Sequence, residues 1–397
     1  MQLFADALLV ALPVAASALL FVLACVGHLC MVLTSHNKWY GSVLHKRVVD
    51  AIQIIHVLLI FGCPLTLWLL IGFDLGVLVE PPVTIWKWAA LAYLSLCGVV
   101  ALIFLPIATI RRGLRKPVAL GSNHTRTIDV AAELGYRPMG KGPYRQLTRL
   151  PGNDIFRVDF NEKRLRLPRL PAALEGLTIL HLSDLHLNGV PDRRFFEHVM
   201  DQCRERQPDL VALTGDIVDD AEHHRWIVPV LGRLKWRVAA VAILGNHDGW
   251  YEVPLIRRRV QRCGFTLLGN SWKQIEVHGE PLIVIGNETP WFSPAPNLND
   301  CPTGPFRLCL SHTPDNIAWA REHHIDLMLS GHVHGGQVRL PFIGSLVVPS
   351  RYGRRYDCGT FNEPPTTLHV VRGLSGQEPL RINCRPEVTK LILERAV

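Results

Sequence analysis

Leu177-Thr-Ile-Leu-His-Leu-Ser-Asp-Leu-His186 is the stretch from which the rest of the chain can be read. Its first six residues are an apolar run of strand length, and the run ends in Ser183-Asp184-Leu185-His186. Asp184 and His186 stand two apart. In an extended segment leaving a strand, such residues face the same way, so a carboxylate and an imidazole are placed to reach one cation. The arrangement recurs along the chain. Leu210 to Thr214 leads into G-D-I-V-D at Gly215 to Asp219, and Val238 to Leu244 leads into G-N-H-D at Gly245 to Asp248. Arg307 to Leu310 leads into Ser311-His312, and Leu327 to Leu329 into G-H-V-H-G-G-Q at Gly331 to Gln337. Asp216 can bridge two ions with its two oxygens, and Asn246 offers a neutral amide oxygen. His312, His332 and His334 complete the set. Each phrase alone is a weak signal, because a lone histidine is usually a core or surface residue. All of them in order, each at the carboxyl end of a strand, match the place where open α/β sheets build their sites. Two divalent cations held side by side activate water and neutralise a phosphoryl group, so the pattern predicts a phosphoester hydrolase.

Outward from these phrases the reading is α/β. Arg193 to Gln207 and Thr313 to His323 have helical patterns, and Thr367 to Val371 and Val388 to Leu393 read as further strands. The hydrolase domain is expected over residues 171–397. Upstream, residues 117–170 are rich in Arg, Lys, Pro and Gly. They read either as a solvated linker or as a basic connector lying against anionic headgroups, and their position just after an apolar stretch favours the connector.

Residues 1–116 are mostly apolar. Three stretches, about Ala7 to Leu33, Ala51 to Phe73 and Trp88 to Ile110, reach the roughly 20 residues needed to cross a bilayer. The first lacks the basic start of a cleaved signal. Lys38, Lys46 and Arg47 follow it, Asp74 and Glu80 follow the second with Lys87 at the end of that loop, and Arg111, Arg112, Arg115 and Lys116 follow the third. Basic flanks stay in the cytoplasm, which predicts an N-terminus outside and a hydrolase domain inside. The net charge of +8 suits an anionic partner or membrane surface; no basic tract interleaved with aromatics points to nucleic acid. Ten cysteines are scattered with no C-x-x-C among them. They indicate neither a redox pair nor a zinc ribbon, and as reduced thiols they suit a cytosolic domain.

The stretches L-S-D-L-H, L-T-G-D-I-V-D, L-G-N-H-D, S-H-T-P-D, L-S-G-H-V-H-G-G-Q and P-S-R-Y-G resemble the calcineurin-like metallophosphoesterase superfamily. The likeness is to its membrane-associated bacterial members, over roughly Asp154 to Leu393. It implies an αββα sandwich with a dinuclear site. By motif position Asp184, His186, Asp216 and His334 hold one metal, and Asp216, Asn246, His312 and His332 the other. Nitrogen and oxygen ligands suit Mn²⁺, Fe or Zn²⁺. A metal-bridging hydroxide is expected to attack phosphorus in line with the leaving group. His247 carries over as the residue that contacts the phosphoryl oxygen or protonates the leaving group. Asp248 is expected to orient His247, and Asp219 to fix the Asp216 loop by hydrogen bonds. Trp250 and Tyr251 either flank the substrate or pack, Arg351 and Tyr352 border the site, and His223-His224 are read as surface residues. The spans and the basic connector predict a bacterial inner-membrane enzyme acting on a lipid-linked phosphodiester or pyrophosphate, and similar proteins make UDP-2,3-diacylglucosamine the nearest candidate. The alternatives are a general phospholipid or nucleotide phosphodiesterase, or a non-catalytic membrane sensor. The three-span region departs from the shorter relatives, so their location and substrate do not carry over automatically.

Overall fold

Ile179 and Leu180, neighbours in one strand, are both fully buried. Successive strand residues point to opposite faces, so this strand is covered on both sides, and the layering of the molecule follows from that. The computed structural model describes residues 2–40, 46–71, 85–115 and 117–396 and divides the chain into Met1–Arg115 and Lys116–Val397.

Strands of the second unit run in chain order as β1 (Leu120–Asp129), β2 (Arg157–Leu167), β3 (Thr178–Leu182), β4 (Leu210–Thr214), β5 (Ala239–Ile243) and β6 (Thr266–Leu267). They continue as β7 (Trp272–Val277), β8 (Glu280–Asn287), β9 (Phe306–Ser311), β10 (Leu327–Ser330), β11 (Arg339–Leu340) and β12 (Gly344–Ser345). The last are β13 (Gly359–Glu363), β14 (Thr366–Val370) and β15 (Glu387–Arg395). Among the described residues they form a seven-stranded sheet ordered β1-β2-β15-β3-β4-β5-β6, a six-stranded sheet ordered β13-β14-β10-β9-β8-β7, and the hairpin β11-β12. β3, β4, β5 and β6 are parallel neighbours, as are β8, β9, β10 and β14. β15 pairs parallel with β2 and antiparallel with β3.

Between the sheets, Ile179, Leu210, Ala212, Val241 and Ile243 of the first pack with Leu282, Val284, Leu308, Leu310, Leu327 and Leu329 of the second. The alternate residues Leu180, Leu182, Val211, Leu213, Ala240 and Ala242 face outward onto Phe195, Phe196, Val199, Ile256 and Val260. These come from helices Arg193–Arg204 and Val253–Arg262. The first helix starts where the Asp192 carboxylate accepts the Phe195 N–H, a side-chain N-cap. On the far side, Ile283, Ile285, Cys309, Met328 and Leu368 pack on Ile317 and Ala320 of helix Ile317–Glu322. The order of layers is helix, sheet, sheet, helix.

Residues 117–170 depart from the connector expected of them, because β1 and β2 are full members of the first sheet. Arg157, Arg164 and Arg166 sit at exposed positions of β2, while Lys163 is buried along with Val158, Phe160, Leu165 and Leu167. Charge at the exposed positions masked a strand alternation. Arg164 reaches Glu394 of β15 at 2.7 Å.

In the first unit the helices are Gln2–Tyr40, Lys46–Ile71 and Ile85–Val99, the last continuing through a π turn into Leu105–Gly113. Among the described residues two segments, Ala18–Trp39 and Ala92–Gly113, are long and apolar enough to cross a membrane; Ala51–Thr66 is apolar but shorter. Two such segments, against the three expected, leave the middle crossing below that length. Helix Gln2–Tyr40 lies close on Ile85–Val99: a Cβ on Gly27 would run into the Cys97 carbonyl, and His28 Nδ1 lies 2.5 Å from the Tyr93 hydroxyl. Asp74, Glu80 and Lys116, part of the orientation argument, lie outside the described residues.

Candidate metal centre

Five strand ends deliver the candidate ligands. Asp184 and His186 follow β3, Asp216 follows β4, Asn246 follows β5, His312 follows β9, and His332 and His334 follow β10. Asp184, His186, Asp216, His332 and His334 all have positive φ, at 51, 43, 52, 67 and 50°. Few residues other than glycine adopt this conformation, and it clusters where function requires the strain. The turns are also tight. A Cβ on Gly331 would run into Ser183 Oγ and the Asp184 carboxylate, and one on Gly245 into the Asp216 carboxylate. No larger residue fits either position.

The side chains converge in three overlapping groups: Asp184, His186 and His334; His186, Asp216 and His247; and Asp216, His312 and His332, each with ligand atoms within 4.8 Å of one another. Asp216 Oδ2 lies 3.6 Å from His186 Nε2 and 3.1 Å from His312 Nε2. It is thus the carboxylate oxygen between two of the groups. Asp184 Oδ1 is 3.9 Å from His186 Nε2 and 3.7 Å from His334 Nε2. His312 Nε2 donates to Asn246 Oδ1 at 3.1 Å.

The fit to cations can be tested on this geometry. Buried polar atoms are nearly always hydrogen-bonded, yet His186 Nε2, Asp216 Oδ2 and His332 Nε2 have no hydrogen-bond partner. Two neighbouring rings are anchored at Nδ1: His312 Nδ1–H donates to the Thr214 carbonyl at 2.7 Å and His334 Nδ1–H to the Ser375 carbonyl at 3.1 Å. His186 Nδ1 lies 3.4 Å from Asp219 Oδ2 without a hydrogen bond. An imidazole held at Nδ1 presents Nε2 as a ligand. Unpartnered nitrogens and a carboxylate oxygen facing one another fit divalent cations.

Residues 177–336 match the family described as calcineurin-like phosphoesterase. The uncharacterised metallophosphoesterase YkuE of Bacillus subtilis is 30% identical over 60% of this chain and 86% of its own length. The chain belongs to the calcineurin-like phosphoesterases. The phosphodiesterase YaeI of Escherichia coli is 32% identical over 54% of this chain and 81% of its own. The UDP-2,3-diacylglucosamine pyrophosphatase LpxG of Chlamydia muridarum is 25% identical over 56% of this chain and 85% of its own. The chain is therefore a hydrolase of the metallophosphoesterase class.

Electrostatics divides the histidines of this phosphoesterase. Burial opposes charge on His186 and His312, but the facing carboxylates outweigh it and hold both up to about 9. For His186 these are Asp219, Asp216 and Asp184; for His312, Asp216 and Asp184. Burial, reinforced by neighbouring imidazoles, drives His332 and His334 well below the ordinary range. They are neutral and ready to donate a lone pair. Burial also works against the Asp216 carboxylate, but His312 and His247 more than compensate and keep it ionised.

Two aspartates of the phosphoesterase differ from expectation, and they differ by exchange. Asp248 does not orient His247. Its Oδ1 accepts the N–H groups of Ile217 and Val218 at 2.9 and 3.0 Å, and its Oδ2 that of Gly245 at 2.9 Å. It pins the loop carrying Asp216. Asp219, expected to do that, instead accepts His247 Nδ1–H at 2.5 Å. The reason is backbone direction: Asp248 points back under the β4 loop, while Asp219 lies beside both His186 and His247. Trp250 packs tilted against His247 with ring centroids 4.1 Å apart, and the Tyr251 hydroxyl donates to the Asp219 carbonyl at 2.7 Å. Arg351 N–H donates to Asp315 at 2.8 Å and the Tyr352 ring packs against Tyr356; no contact from either to a candidate ligand is seen among the described residues. His223, read as a surface residue, is buried against Trp226.

Sequence reasoning missed several residues. Trp291 lies against both His312 and His332, at 5.5 and 4.9 Å. Arg381 is fully buried and donates to the carbonyls of His334 and Arg372 at 3.0 and 2.7 Å, fastening the ligand loop to the C-terminal region. Behind Thr214, His181 Nε2 lies 3.0 Å from its hydroxyl, His181 Nδ1 3.1 Å from His369 Nδ1, and His369 Nε2 3.2 Å from Lys163 Nζ. This buried seam of polar groups joins the two sheets. None of these residues stands in a motif, so no local signal marks it.

Proposed function

We propose that this phosphoesterase hydrolyses a lipid-linked phosphodiester or pyrophosphate at a membrane surface, with UDP-2,3-diacylglucosamine as the nearest candidate substrate. The observation that carries the chemistry is the facing set of unpartnered ligand atoms on His186, Asp216 and His332. Asp184, His186, Asp216 and His334 would hold one divalent ion, and Asp216, Asn246, His312 and His332 a second; Mn²⁺, Fe and Zn²⁺ all suit such nitrogen and oxygen ligands. Bound there, the ions would supply positive charge against phosphoryl oxygens and lower the pKa of a water molecule. The chain's own residues do the rest. Asp219 fixes the His247 ring through Nδ1, which leaves Nε2 to bind a phosphoryl oxygen or, when protonated, to pass its proton to the departing oxygen. The Asp219 carboxylate stabilises the imidazolium during that exchange. Asp248 keeps Asp216 in place through three backbone N–H groups.

The lipid-linked substrate is supported by the apolar segments Ala18–Trp39 and Ala92–Gly113 and by the likeness to LpxG. We take the chain to be a multi-pass protein of the bacterial inner membrane with three crossings and the hydrolase unit in the cytoplasm, on the charge pattern of its flanks. A reporter active only outside the cytoplasm and fused to the C-terminus should stay silent; strong activity would reverse the orientation.

The substrate reading is tested by incubating the Mn²⁺-loaded protein with a soluble aryl phosphodiester and then with a lipid extract read by mass spectrometry. Turnover of both, with a sugar-lipid phosphate released, is expected. Release of a diacylglycerol or nucleotide product instead would point to a general phospholipid or nucleotide phosphodiesterase. No turnover with any divalent metal would leave a ligand-binding sensor.

A further inference from the structure

Five residues past His334 the chain turns into the short hairpin β11-β12. Its tip is Phe342, which is 96% exposed, with Leu340, Pro341 and Val347 exposed beside it. Phe342 also holds a φ of 63°, a left-handed conformation that is an outlier for a bulky side chain. A large aromatic residue is thus held out at a strained turn, and its exposure is unfavourable in water. From Val338 to Tyr356 the chain carries Arg339, Arg351, Arg354 and Arg355; Arg339 pairs with Asp357 at 2.8 Å and Arg355 with Glu363 at 2.7 Å. Arg354 donates to the Ile343 carbonyl and ties the hairpin to this basic turn. Arg351 keeps 62% of its side chain exposed, its Nε 3.8 Å from the Asp315 carboxylate that its backbone N–H also meets.

The hairpin is also fastened to the ligand loop. Arg339 Nη1 donates to the Gly335 carbonyl at 2.9 Å, and a Cβ on Gly336 would meet Ser345 Cβ at 2.5 Å. An apolar tip tied to a turn that presents the exposed Arg351 side chain has the chemistry of the boundary between headgroups and acyl chains in an anionic bilayer.

We propose that the Arg339–Val347 hairpin dips into the headgroup region of an anionic bilayer and sets the adjacent metal centre at the depth of a lipid phosphoester. Its use in catalysis rests on the lipid-substrate reading above; the lipid contact itself does not.

The experiment places the photo-crosslinker p-benzoylphenylalanine at position 342 of the full chain, in nanodiscs containing phosphatidylglycerol. Illumination should add the mass of one phospholipid. The same label at Leu19, 60% exposed in an apolar helix, should also capture lipid, and at Tyr144, 55% exposed in the second unit, should not. Capture of a second protein chain from position 342 would make the occupant another copy and overturn the proposal. So would absence of a lipid adduct at 342 when Leu19 gives one. In a second arm, Phe342→Ser should slow turnover of a vesicle-borne lipid phosphodiester about tenfold, the scale of one aromatic anchor left in water. It should leave a soluble aryl phosphodiester unaffected, and equal loss on both substrates would remove the hairpin from lipid presentation. If the parent protein cleaves no lipid while position 342 still captures one, the substrate reading fails and the bilayer contact stands.

Discussion

The two sheets meet at one site and bring different chemistry to it. The loops after β3, β4 and β5 supply all the central carboxylates, Asp184, Asp216 and Asp219, along with His186, Asn246 and His247. The loops after β9 and β10 supply imidazoles alone, His312, His332 and His334. Protonation follows contact with those carboxylates. His186 beside them and His312, which reaches across to Asp216, are held up to about 9, whereas His332 and His334, set among other imidazoles, are driven far down. One wall brings the carboxylates and the other mostly neutral lone pairs. Neither wall alone holds the full candidate ligand set, so completing the centre requires the two sheets to pack.

The sharpest way to break this contrast is at the oxygen where the walls meet. Asp216→Asn should abolish detectable turnover and lower bound Mn²⁺, measured as metal per chain after gel filtration. Retention of two ions would show that Asp216 is not shared. Next comes His247→Ala, which should cost about 10²- to 10⁴-fold in rate, the range of a positioned acid–base group, without losing metal. Asn246→Ala should instead be partly restored by excess Mn²⁺. Rescue of the first variant and not the second would exchange the two roles.

Asp219→Asn should cost about 10- to 100-fold, as loss of a residue that orients an imidazole does, and should leave the melting temperature nearly unchanged. Asp248→Ala should do the opposite and lower the melting temperature, because three buried N–H groups lose their acceptor. Equal rate losses with equal stability would erase the distinction between the two aspartates.

The smallest expected effect is a pH trend in the metal-free protein. Folded His186 and His312 keep their protons up to about 9, against about 6.5 for an unfolded imidazole. The stability they contribute is complete below the unfolded value and is lost as pH rises through the folded one. Divalent ions replace those protons, so the rise in melting temperature on adding Mn²⁺ should grow across that window. A rise independent of pH would mean the two rings are already neutral.

Much of this was legible in the sequence because strands covered on both faces are continuous apolar runs. Leu210 to Thr214 could be placed to the residue. The candidate ligands could be placed because each stands close after such a run. β2 was not, because its exposed arginines read as a charged linker. The two aspartates could not be assigned either. Which of Asp219 and Asp248 reaches His247 depends on how two loops cross, and spacing along one chain carries no information about that. The left-handed ligands were equally hidden, since the sequence shows an aspartate or histidine and not the φ it is held in.

The strand β15 lies between β2 and β3, in the interior of the first sheet. Its Glu387 is hydrogen-bonded to Asn161, 226 residues earlier. During translation, β2 and β3 must therefore emerge from the ribosome and wait, with the pairing edges of both unfilled, until nearly the whole hydrolase unit has been made. Pairings this distant in sequence form slowly, and unfilled edges invite wrong partners. A transcript cut short before Glu387 would yield a chain holding every candidate ligand and lacking that interior strand, and such a chain would be work for a chaperone or a protease.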